Sequence, residues 1–492
     1  MATEYFDVVI VGAGISGISA GYYLQARCPK RTYVILEARG ALGGTWDVFR
    51  YPGVRTDSDM TSFGYTFEPW QHSKTIADGP ELLDYLRDTA AHHGVDRKIR
   101  FGHTVKAASW SSPDARWTVD VERGERGETG QLRCNFLFFC AGYYDYSRVY
   151  IPSFRGRERF RGRIVHPQDW TDEIDYTNKR VIVIGSGATA VTLIPQLAKR
   201  AAHVTMLQRS PSYLVSRAAS DPRANRLRRH LPARVAFAII RWRGILFTMR
   251  AFRLSRLHPE RAKVEMLRMV RETFDPEYVA AHLTPRYTPW DQRPSFILEG
   301  DLFAAIREGR VSLVTDEIDT LTERGLTLRS GAELDADLIV SATGPYLRLL
   351  GGAAISVDGQ RVDLAKAMTY KGMMYSGIPN LASAIGYLNA TWTLKVELTC
   401  QYVCRLLNRM EKTGKSQCVA RLADPAMPSE RWTHLRSGYV ERAIDEYPRQ
   451  GSSRPWKLHQ NYALDWFSFR FSPIEDGVME LSHPRSSGDP SP

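Results

Sequence analysis

The sequence is poor in cysteine, and none of its cysteines forms a C-x-x-C pair. A disulfide reductase needs two closely spaced thiols that exchange electrons, so the sequence argues against that class of enzyme. We expect the cysteines to be buried free thiols that behave as small apolar side chains, in a protein of the reducing cytoplasm. They are Cys28, Cys134, Cys140, Cys400, Cys404 and Cys418.

Long apolar runs are also missing. No stretch reaches the roughly 18 uncharged apolar residues that a membrane-spanning helix needs. The first residues, Met-Ala-Thr-Glu-Tyr-Phe-Asp, lack the basic start and the cleavage site of a secretory signal. We expect no metal site either. The length of 492 residues predicts two or three domains.

Acidic residues are outnumbered, since 66 Lys and Arg face 54 Asp and Glu, for a formal net charge of +12. Such an excess favours an anionic partner, which could be a phosphate-bearing cofactor, a membrane surface or nucleic acid. No nucleic-acid-binding module accompanies the charge, so we expect no nucleic-acid partner. The charge alone does not choose between the other two.

A glycine motif of the form G-x-G-x-x-G follows residues 6–11, an apolar segment that predicts a buried parallel strand. Gly12, Gly14 and Gly17 allow a tight turn in which backbone N–H groups approach a pyrophosphate at a helix N-terminus. The next predicted strand ends at Glu37, where a carboxylate can bind a ribose 2′-hydroxyl and repel a 2′-phosphate. This site should therefore take FAD or NAD rather than NADP.

A second pair of glycines, in the run Gly43-Gly44-Thr45-Trp46, follows this carboxylate closely. Further small residues suit a long dinucleotide such as FAD, whose flavin end extends beyond the first turn. The alternative is a glycine-rich turn beside a core tryptophan. Taken together with the first motif, Gly44, Thr45 and Trp46 favour FAD.

The same strand–glycine–helix pattern returns about 170 residues later, after the apolar segment 180–184. Here the turn is the G-x-G-x-x-A variant of the motif. It predicts a second dinucleotide site, formed by Gly185, Gly187, Thr189 and Ala190.

The residue that would contact the ribose differs between the two sites. The strand predicted at 203–207 leads to Gln208-Arg209-Ser210, and Arg209 stands where the first site has Glu37. A guanidinium in that place pairs with the 2′-phosphate of NADP, although an exposed surface arginine is the alternative. Arg209 and Ser210 therefore predict NADPH as the second cofactor.

Two such turns predict an α/β fold with two Rossmann-like dinucleotide-binding domains and a helical insertion. Two further apolar strands, 136–140 and 338–341, end in small residues, and we expect each to close one domain. The predicted boundaries are 1–150 and 346–482 for the FAD domain, 151–216 and 283–345 for the NADPH domain, 217–282 for the insertion and 483–492 for a disordered tail.

Two dinucleotides in one chain imply hydride transfer from NADPH to the flavin. Because the sequence has no redox cysteine pair, dioxygen is the simplest next electron acceptor. The sequence therefore favours an oxygenase, and a flavin protein that acts as a redox sensor is the alternative from another class.

A segment before the second motif carries a more specific signal. It is Phe160-Arg161-Gly162-Arg163-Ile164-Val165-His166-Pro167-Gln168-Asp169-Trp170. Phe160, Gly162, His166 and Trp170 resemble the F-x-G-x-x-x-H-x-x-x-W fingerprint of type I Baeyer–Villiger monooxygenases. The sister flavin-containing monooxygenases usually have Tyr in place of Trp170, whereas Thr171 departs from the Pro or Asp usual at the fingerprint's last position. We expect His166 either to orient this linker by hydrogen bonding or to shuttle a proton.

The resemblance covers nearly the whole chain and is closest to the ethionamide-activating branch of that family. The basic segment 217–282 and the tail carry little of it. The segments that carry it are Gly43–Asp47 with residues 49–59, Gly185–Val191, Gln208–Pro211, Pro289–Arg293, Gly300–Phe303 and Gly386–Lys395.

The resemblance implies an enzyme that uses FAD, NADPH and dioxygen on a small ketone or sulfide. In this family, reduced flavin and oxygen form a C4a-peroxyflavin. This species inserts an oxygen atom beside a ketone carbonyl, giving an ester or lactone, or it oxidises a sulfide or thiocarbonyl. A flavin-containing N- or S-oxygenase is the alternative enzyme.

By resemblance, Arg293 supplies a fixed positive charge at the reacting oxygen, and Asp57 orients it beside the cofactor. An arginine in a dry pocket is costly without a counter-ion, which makes such a pair physically reasonable. Arg286 is the rival for the role of Arg293. Either member of the pair could instead lie at the surface, Asp57 in a turn and Arg293 beside a proline.

Other residues are expected near the cofactors without a defined role. Arg50 and Arg55 could contact phosphates or the nicotinamide. Asn389, Trp392 and Lys395 are expected near the flavin or the substrate, with packing an equally good explanation for Trp392.

Residues 223–256 combine ten arginines with large apolar residues. An amphipathic surface of this kind can lie on anionic lipid, with its arginines at the level of the headgroups. The alternative is an ordinary helical cap over the active site, with solvated charges. The segment thus has two explanations, peripheral membrane contact and a solvated cap.

Overall fold

The computed structural model describes residues 3–124 and 126–484, and two large sheets organise it. Residues 485–492, most of the predicted tail, lie outside the described residues. The helices and strands of the described residues are numbered below in chain order.

The strands are β1 (Glu4–Val11), β2 (Tyr33–Leu36), β3 (Ile99–Arg100), β4 (His103–Ser111), β5 (Arg116–Arg123), β6 (Glu128–Phe139), β7 (Arg163–Val165), β8 (Arg180–Ile184), β9 (His203–Gln208), β10 (Leu214–Arg217), β11 (Ser295–Leu298), β12 (Val311–Thr315), β13 (Ile318–Leu321), β14 (Gly325–Leu328), β15 (Glu333–Asp335), β16 (Leu338–Ser341), β17 (Ala354–Val357), β18 (Gln360–Arg361), β19 (Thr369–Tyr370), β20 (Met374–Tyr375), β21 (Leu381–Ser383), β22 (Gln417–Ala420), β23 (Ser429–Glu430), β24 (Gln450–Gly451) and β25 (Met479–Ser482).

The helices are α1 (Ile15–Arg27), α2 (Thr45–Val48), α3 (Met60–Phe63), α4 (Gly79–His92), α5 (Ala188–Leu197), α6 (Pro222–His230), α7 (Ala233–Leu257), α8 (Pro259–Thr273), α9 (Pro276–His282), α10 (Asp301–Arg307), α11 (Trp392–Thr413), α12 (Gly438–Glu441) and α13 (Tyr462–Phe471).

The first sheet has the strand order β18-β17-β4-β5-β6-β1-β2-β3. Its centre is β1, which runs parallel to both β2 and β6. Val8 and Ile10 pack into the core formed with α1 and α11, while Val9 and Val11 pack into a core on the opposite face. A strand covered on both faces reads as a continuous apolar run, which is why this one is visible in the sequence.

Strand β6 is longer than the predicted segment 136–140, since it begins at Glu128. Its first part pairs antiparallel with β5, whereas its last part pairs parallel with β21. Only the last part is buried at every residue, so the apolar run marked only that half. Through β17 and β21, the chain after residue 346 adds strands to the first sheet.

The second sheet has the order β12-β9-β8-β16-β7, and all its strands are parallel. Val181 and Val183 of β8 face a core that includes residues of α5 and α10. Ile182 faces the other side, where β13, β14 and β15 form a small antiparallel sheet. This is the second Rossmann-like unit that the sequence predicts, and the mixed α/β architecture is confirmed.

The segment predicted as a helical insertion contains α6, α7, α8 and α9. Its first residue, Arg217, is not helical but ends β10, which pairs parallel with β11. The two strands bring the beginning and the end of the insertion together.

A buried arginine holds the longest helix of the insertion, α7, against the rest of the protein. Nη1 of Arg241 donates to the carbonyl oxygens of Thr61 (3.0 Å) and Gly64 (2.8 Å), and Nη2 donates to Oε2 of Glu397 at 3.0 Å. Both side chains of the ion pair are 4% exposed. Glu397 also accepts from the backbone N–H and the hydroxyl of Thr66, so its charge is well compensated.

Substitution Arg241→Met should therefore destabilise the protein strongly, because it leaves the Glu397 carboxylate buried without its counter-ion. Breaking a buried pair in this way costs about 3–5 kcal/mol. We expect this loss in the free energy of unfolding measured by denaturant titration. Arg250→Met, at an exposed arginine of the same helix, is the control and should change it by less than about 0.5 kcal/mol. Equal effects of the two substitutions would contradict the importance of the pair.

Candidate active site

A cavity of about 600 Å³ lies at the carboxyl ends of strands from both sheets, the edge at which α/β sheets bind ligands. On one side it is lined by Gly12 and Gly14, which follow β1. On the other it is lined by Ala188 and Thr189, at the start of α5. One cavity thus touches both predicted glycine turns.

The first glycine turn has no room for side chains. Gly12 has a φ of +102°, and a Cβ atom there would lie 2.7 Å from the carbonyl oxygen of Cys140. A Cβ atom at Gly17 would overlap the carbonyl oxygen of Gly12. Gly44 (φ +56°) lies against Gly14, with 3.2 Å from its ideal Cβ position to the Gly14 Cα atom. The two glycine segments therefore form one narrow backbone cradle that suits a pyrophosphate group.

Glu37 is buried at the end of β2 and lines the cavity. Its Oε2 accepts the backbone N–H of Ala13 at 2.8 Å, and its Oε1 accepts the backbone N–H of Arg39 at 2.9 Å. Burial raises the pKa of Glu37, while these two hydrogen bonds oppose the rise. Each carboxylate oxygen keeps capacity for a further hydrogen bond, so the group fits a ribose diol.

Thr45 and Trp46 also line the cavity. The Thr45 hydroxyl is 2.6 Å from that of Tyr146, and the Trp46 ring packs edge-on against Phe63 at 6.0 Å between centroids. Both residues thus lie beside the cradle, and their contact with the far end of a long dinucleotide stays a prediction.

Arg293 and Asp57 form an ion pair inside the cavity, with 2.9 Å between Nη2 and Oδ2. Their side chains are 32% and 38% exposed, so the pair is open to a ligand. The charge of Asp57 raises the pKa of Arg293, which keeps the guanidinium cationic. Burial raises the pKa of Tyr143 and Tyr144 beside it, so both phenols are neutral donors. The rival residue, Arg286, is exposed outside this lining.

A second arginine, which the sequence did not single out, supports the backbone of this pair. Nη1 of Arg217 donates to the carbonyl oxygen of Asp57 at 3.3 Å, and its guanidinium lies 3.7 Å from the ring centroid of Phe296. Arg217 and Phe296 come from β10 and β11, so only the pairing of these strands shows that the two residues meet.

The second glycine turn is only partly in the cavity. Thr189 lines it, whereas Gly185, with a φ of +129°, packs its backbone against Ala342. A Cβ atom at Gly187 would meet no atom within 4 Å, so backbone there is open to a ligand. Arg209 is exposed at the carboxyl end of β9, beyond the cavity.

The neighbouring residues of this turn are tied together. The hydroxyl of Ser186 donates to the carbonyl oxygen of Ser210 at 3.1 Å, which links the glycine turn to the end of β9. Ala190 is buried in the core under the sheet. The turn and the residues after β9 therefore lie side by side at the carboxyl ends of the strands of the second sheet.

Arg55 lines the cavity with one nitrogen unsatisfied. Its Nη1 donates to Oδ2 of Asp301 at 2.8 Å, and its side chain is 6% exposed. Its buried Nη2 has no hydrogen-bond partner among the described residues. A buried cationic N–H without a partner fits an anionic group of a bound ligand. Arg50, by contrast, is 65% exposed beside Asp47.

The fingerprint segment contains β7, the edge strand of the second sheet, and reaches the cavity at His166 and Pro167. A Cβ atom at Gly162 would lie 2.6 Å from the carbonyl oxygen of Asp337. His166 is buried at the cavity, and its Nδ1 accepts the backbone N–H of Gln168 at 3.2 Å. Burial lowers the pKa of His166, which keeps the ring neutral. Trp170 packs in the core of the second sheet. These contacts support the orienting role of His166, which stays a prediction.

Of the three residues expected near the flavin or substrate, Trp392 lines the cavity. Its ring stacks on Tyr143 at 5.2 Å between centroids. Asn389 lies outside the lining and donates to a backbone carbonyl. Lys395 forms a buried ion pair with Asp465, 2.7 Å apart, between α11 and α13. This ion pair joins the two helices.

Three further sequence predictions concern the cysteines, a metal site and membrane-spanning helices. All six cysteines are buried free thiols, as predicted. The described residues do not bring together three or more His, Cys, Asp or Glu side chains that could hold a metal ion. None of the helices in residues 3–124 and 126–484 has the length and apolarity needed to cross a membrane.

Known proteins resemble this chain in sequence and in fold. Residues 71–420 match the family described as flavin-binding monooxygenase-like, and residues 10–78 match an NAD(P)-binding Rossmann-like domain. The FAD-containing monooxygenase EthA of Mycobacterium tuberculosis is 48% identical over 482 residues, which cover 98% of each chain.

Solved structures show the same fold at lower identity. A steroid monooxygenase bound to NADP has a TM-score of 0.75 at 24% identity, and the match covers 97% of this chain and 100% of that one. A cyclohexanone monooxygenase bound to ε-caprolactone has a TM-score of 0.74 at 20% identity, with 98% and 100% covered. The family match and the identity over almost the full length show that this chain belongs to the flavin-binding monooxygenase-like family.

Proposed function

We propose that this flavin-dependent monooxygenase is of the Baeyer–Villiger type. It would use NADPH and dioxygen to convert a ketone into an ester or lactone, and the same site would oxidise a sulfide or thiocarbonyl. The observation that carries the proposal is the Arg293–Asp57 ion pair, which lies in the cavity that both glycine turns reach.

The residues of the first turn fit FAD, which supplies the oxygen-activating chemistry when bound. Gly12, Gly14 and Gly17 offer the backbone cradle, and Glu37 offers oxygens to the ribose. Gly44, Thr45 and Trp46 continue the lining toward Asp57. We assign these residues to FAD.

The residues of the second turn fit NADPH. Backbone at Gly187 is open, and Arg209 and Ser210 follow β9, the strand next to the one that leads into the turn. Glu37 has the same relation to the first turn, but with the opposite charge. Arg55 offers an unsatisfied cationic N–H on the cavity side. We assign Gly185, Gly187, Thr189, Ala190, Arg209 and Ser210 to NADPH.

Arg293 has the properties that this reaction needs from the protein. Its charge is held by Asp57 and stays cationic, so it can stabilise negative charge that develops on oxygen at the ketone. Tyr143 and Trp392 form an aromatic wall beside it that reduces access of water. An N- or S-oxygenase needs no such fixed cation, and Trp170 also favours the Baeyer–Villiger type.

We propose in addition that the protein contacts membranes peripherally through the helical insertion. This part of the proposal rests on the exposed surface of α7 and is independent of the type of oxygenation.

Substitution Arg293→Ala should abolish ketone oxygenation while NADPH is still oxidised. Removal of one preorganised donor costs roughly 10²–10³ in rate, so we expect ester formation to fall at least ~100-fold, with hydrogen peroxide released instead. Gas chromatography of the ester and a peroxide assay would measure both. Arg286→Ala is the matched control and should keep wild-type turnover. Undiminished ester formation by Arg293→Ala would disprove the assignment, and sulfide oxidation without any ketone oxidation by the wild type would favour the N- or S-oxygenase.

Substitution Arg209→Gln should weaken NADPH selectively. Loss of a charge-assisted hydrogen bond of about 1.5–3 kcal/mol corresponds to a rise in KM for NADPH of roughly 10- to 150-fold. The KM for NADH should stay unchanged, because NADH has no 2′-phosphate. Steady-state kinetics with both coenzymes, with Arg307→Gln as the exposed control, would measure this. A parallel change for both coenzymes would show that Arg209 does not contact the 2′-phosphate.

A further inference from the structure

Helix α7 has two faces of different character. Its buried residues, which include Ala236, Ile240 and Ile245, pack against the protein. Large apolar residues on the other side are 36–54% exposed, and their spacing of four, three and four residues places them on one stripe of the helix. These residues are Val235, Ile239, Trp242 and Leu246.

A second helix, α13, extends this stripe with aromatic residues. The ring of Trp242 lies 6.0 Å from that of Trp466, and Trp466 lies 5.5 Å from Phe471. Phe467 and Phe471 are 64% and 59% exposed and contact each other. We call the four residues of α7 together with Trp466, Phe467 and Phe471 the apolar ridge. A contiguous cluster of exposed large apolar side chains is typical of an interaction site in a folded protein.

The segment that carries α7 is strongly basic. Residues 222–259 contain ten arginines and no aspartate or glutamate. The whole insertion, residues 217–282, has fifteen Lys and Arg against six Asp and Glu, so it carries nine of the twelve net charges of the chain. Arg234, Arg250 and Arg253 are exposed on α7 itself.

We propose that the apolar ridge and the arginines of α7 bind the surface of an anionic lipid bilayer. The ridge would enter the boundary between headgroups and acyl chains, while the arginines pair with lipid phosphates. This identifies the surface behind the peripheral contact proposed above, and it depends on that contact but not on the oxygenation chemistry.

A second copy of the chain is a poorer occupant of the same surface. A symmetric dimer places the same patch of both subunits face to face. Here such a contact would set the arginines of one α7 against those of the other, without carboxylates from residues 222–259 to compensate them. An anionic bilayer offers both the apolar layer and the opposite charge.

The inner face of α7 shows which residues a test must leave intact. Arg256 donates to Oδ1 of Asp291 at 2.9 Å, and Phe252 packs on Trp290 at 5.1 Å between ring centroids. These contacts tie the helix to the segment that carries Arg293, and the Arg241 pair ties it to α11 and to the carbonyl oxygens of Thr61 and Gly64. Substitutions confined to the ridge avoid them.

The test is flotation of the FAD-loaded protein with vesicles of phosphatidylcholine, alone or mixed with phosphatidylglycerol. We expect binding to the anionic vesicles, little binding to the neutral ones and release by high salt. The double variant Leu246→Ser/Phe467→Ser should lower the partition coefficient at least roughly tenfold, because two large apolar groups no longer enter the bilayer. Arg250→Gln/Arg253→Gln should lower it on anionic vesicles only.

Phe101→Ser, at a 40% exposed phenylalanine in the turn between β3 and β4, is the matched control and should bind like the wild type. Flavin content, thermal unfolding and NADPH-dependent turnover of a water-soluble substrate should stay at wild-type values in every variant, which separates this proposal from the proposed reaction. Absent binding by the wild type, equal binding to neutral vesicles, or unchanged binding by the ridge variant would overturn the proposal. So would a wild-type dimer that the ridge variant dissociates without any vesicle binding.

Discussion

The arrangement of the site depends on how one short segment of the first unit packs against the second. Between the first glycine cradle and Asp57, alternate residues are attached to the second unit. Tyr51 is buried in the core of the second sheet, and Gly53 approaches α5 so closely that a Cβ atom would lie 3.0 Å from the carbonyl oxygen of Thr192. Arg55 then pairs with Asp301 at the start of α10. Asp57 is the next residue in this alternation, and it meets Arg293.

This packing explains why one cavity serves two nucleotide turns. The loop is pinned by an aromatic core contact, a close backbone approach and an ion pair, which act in different ways and reinforce each other. Gly53, with a φ of +79°, is essential to the approach, because a side chain there would push α5 away. The distance between the cradle and Arg293 is thus set by the contacts of Tyr51, Gly53 and Arg55 with the second unit.

The sequence predicted the parts of the molecule whose physical signal is local. Val8–Val11 are buried, as are the first three residues of Val181–Ile184, and glycine follows each run, so the two runs reveal both Rossmann-like units. The antiparallel half of β6 was not predicted, because it is only partly buried and so has no continuous apolar run. The role of Arg217 was not predicted, because its contacts join residues far apart in the sequence: Asp57 lies 160 positions away, and Phe296 lies beyond the insertion.

The arginines of one helix also show how far prediction from the sequence can go. Ten arginines of residues 223–256 are equivalent by composition, yet Arg241 is buried and bonded to three groups while Arg250 and Arg253 face solvent. The buried arginine differs from the exposed ones in its position around the helix axis. This position places Arg241 beside the carbonyl oxygens of Thr61 and Gly64, which accept its hydrogen bonds. Neither the helical phase nor the presence of these carbonyl oxygens can be predicted without knowing where the neighbouring elements lie.

The two positions that we propose to contact ribose differ in how freely they can change. Glu37 closes the loop structure of its own site, because its two oxygens hold the backbone at Ala13 and at Arg39. Arg209 projects from the end of its strand into solvent. A substitution at the second position would therefore leave the local fold intact, whereas one at the first must rebuild the turn. Under the proposed assignment, the preference for the reductant can change in small steps during evolution or redesign, while the flavin site is constrained by its own fold.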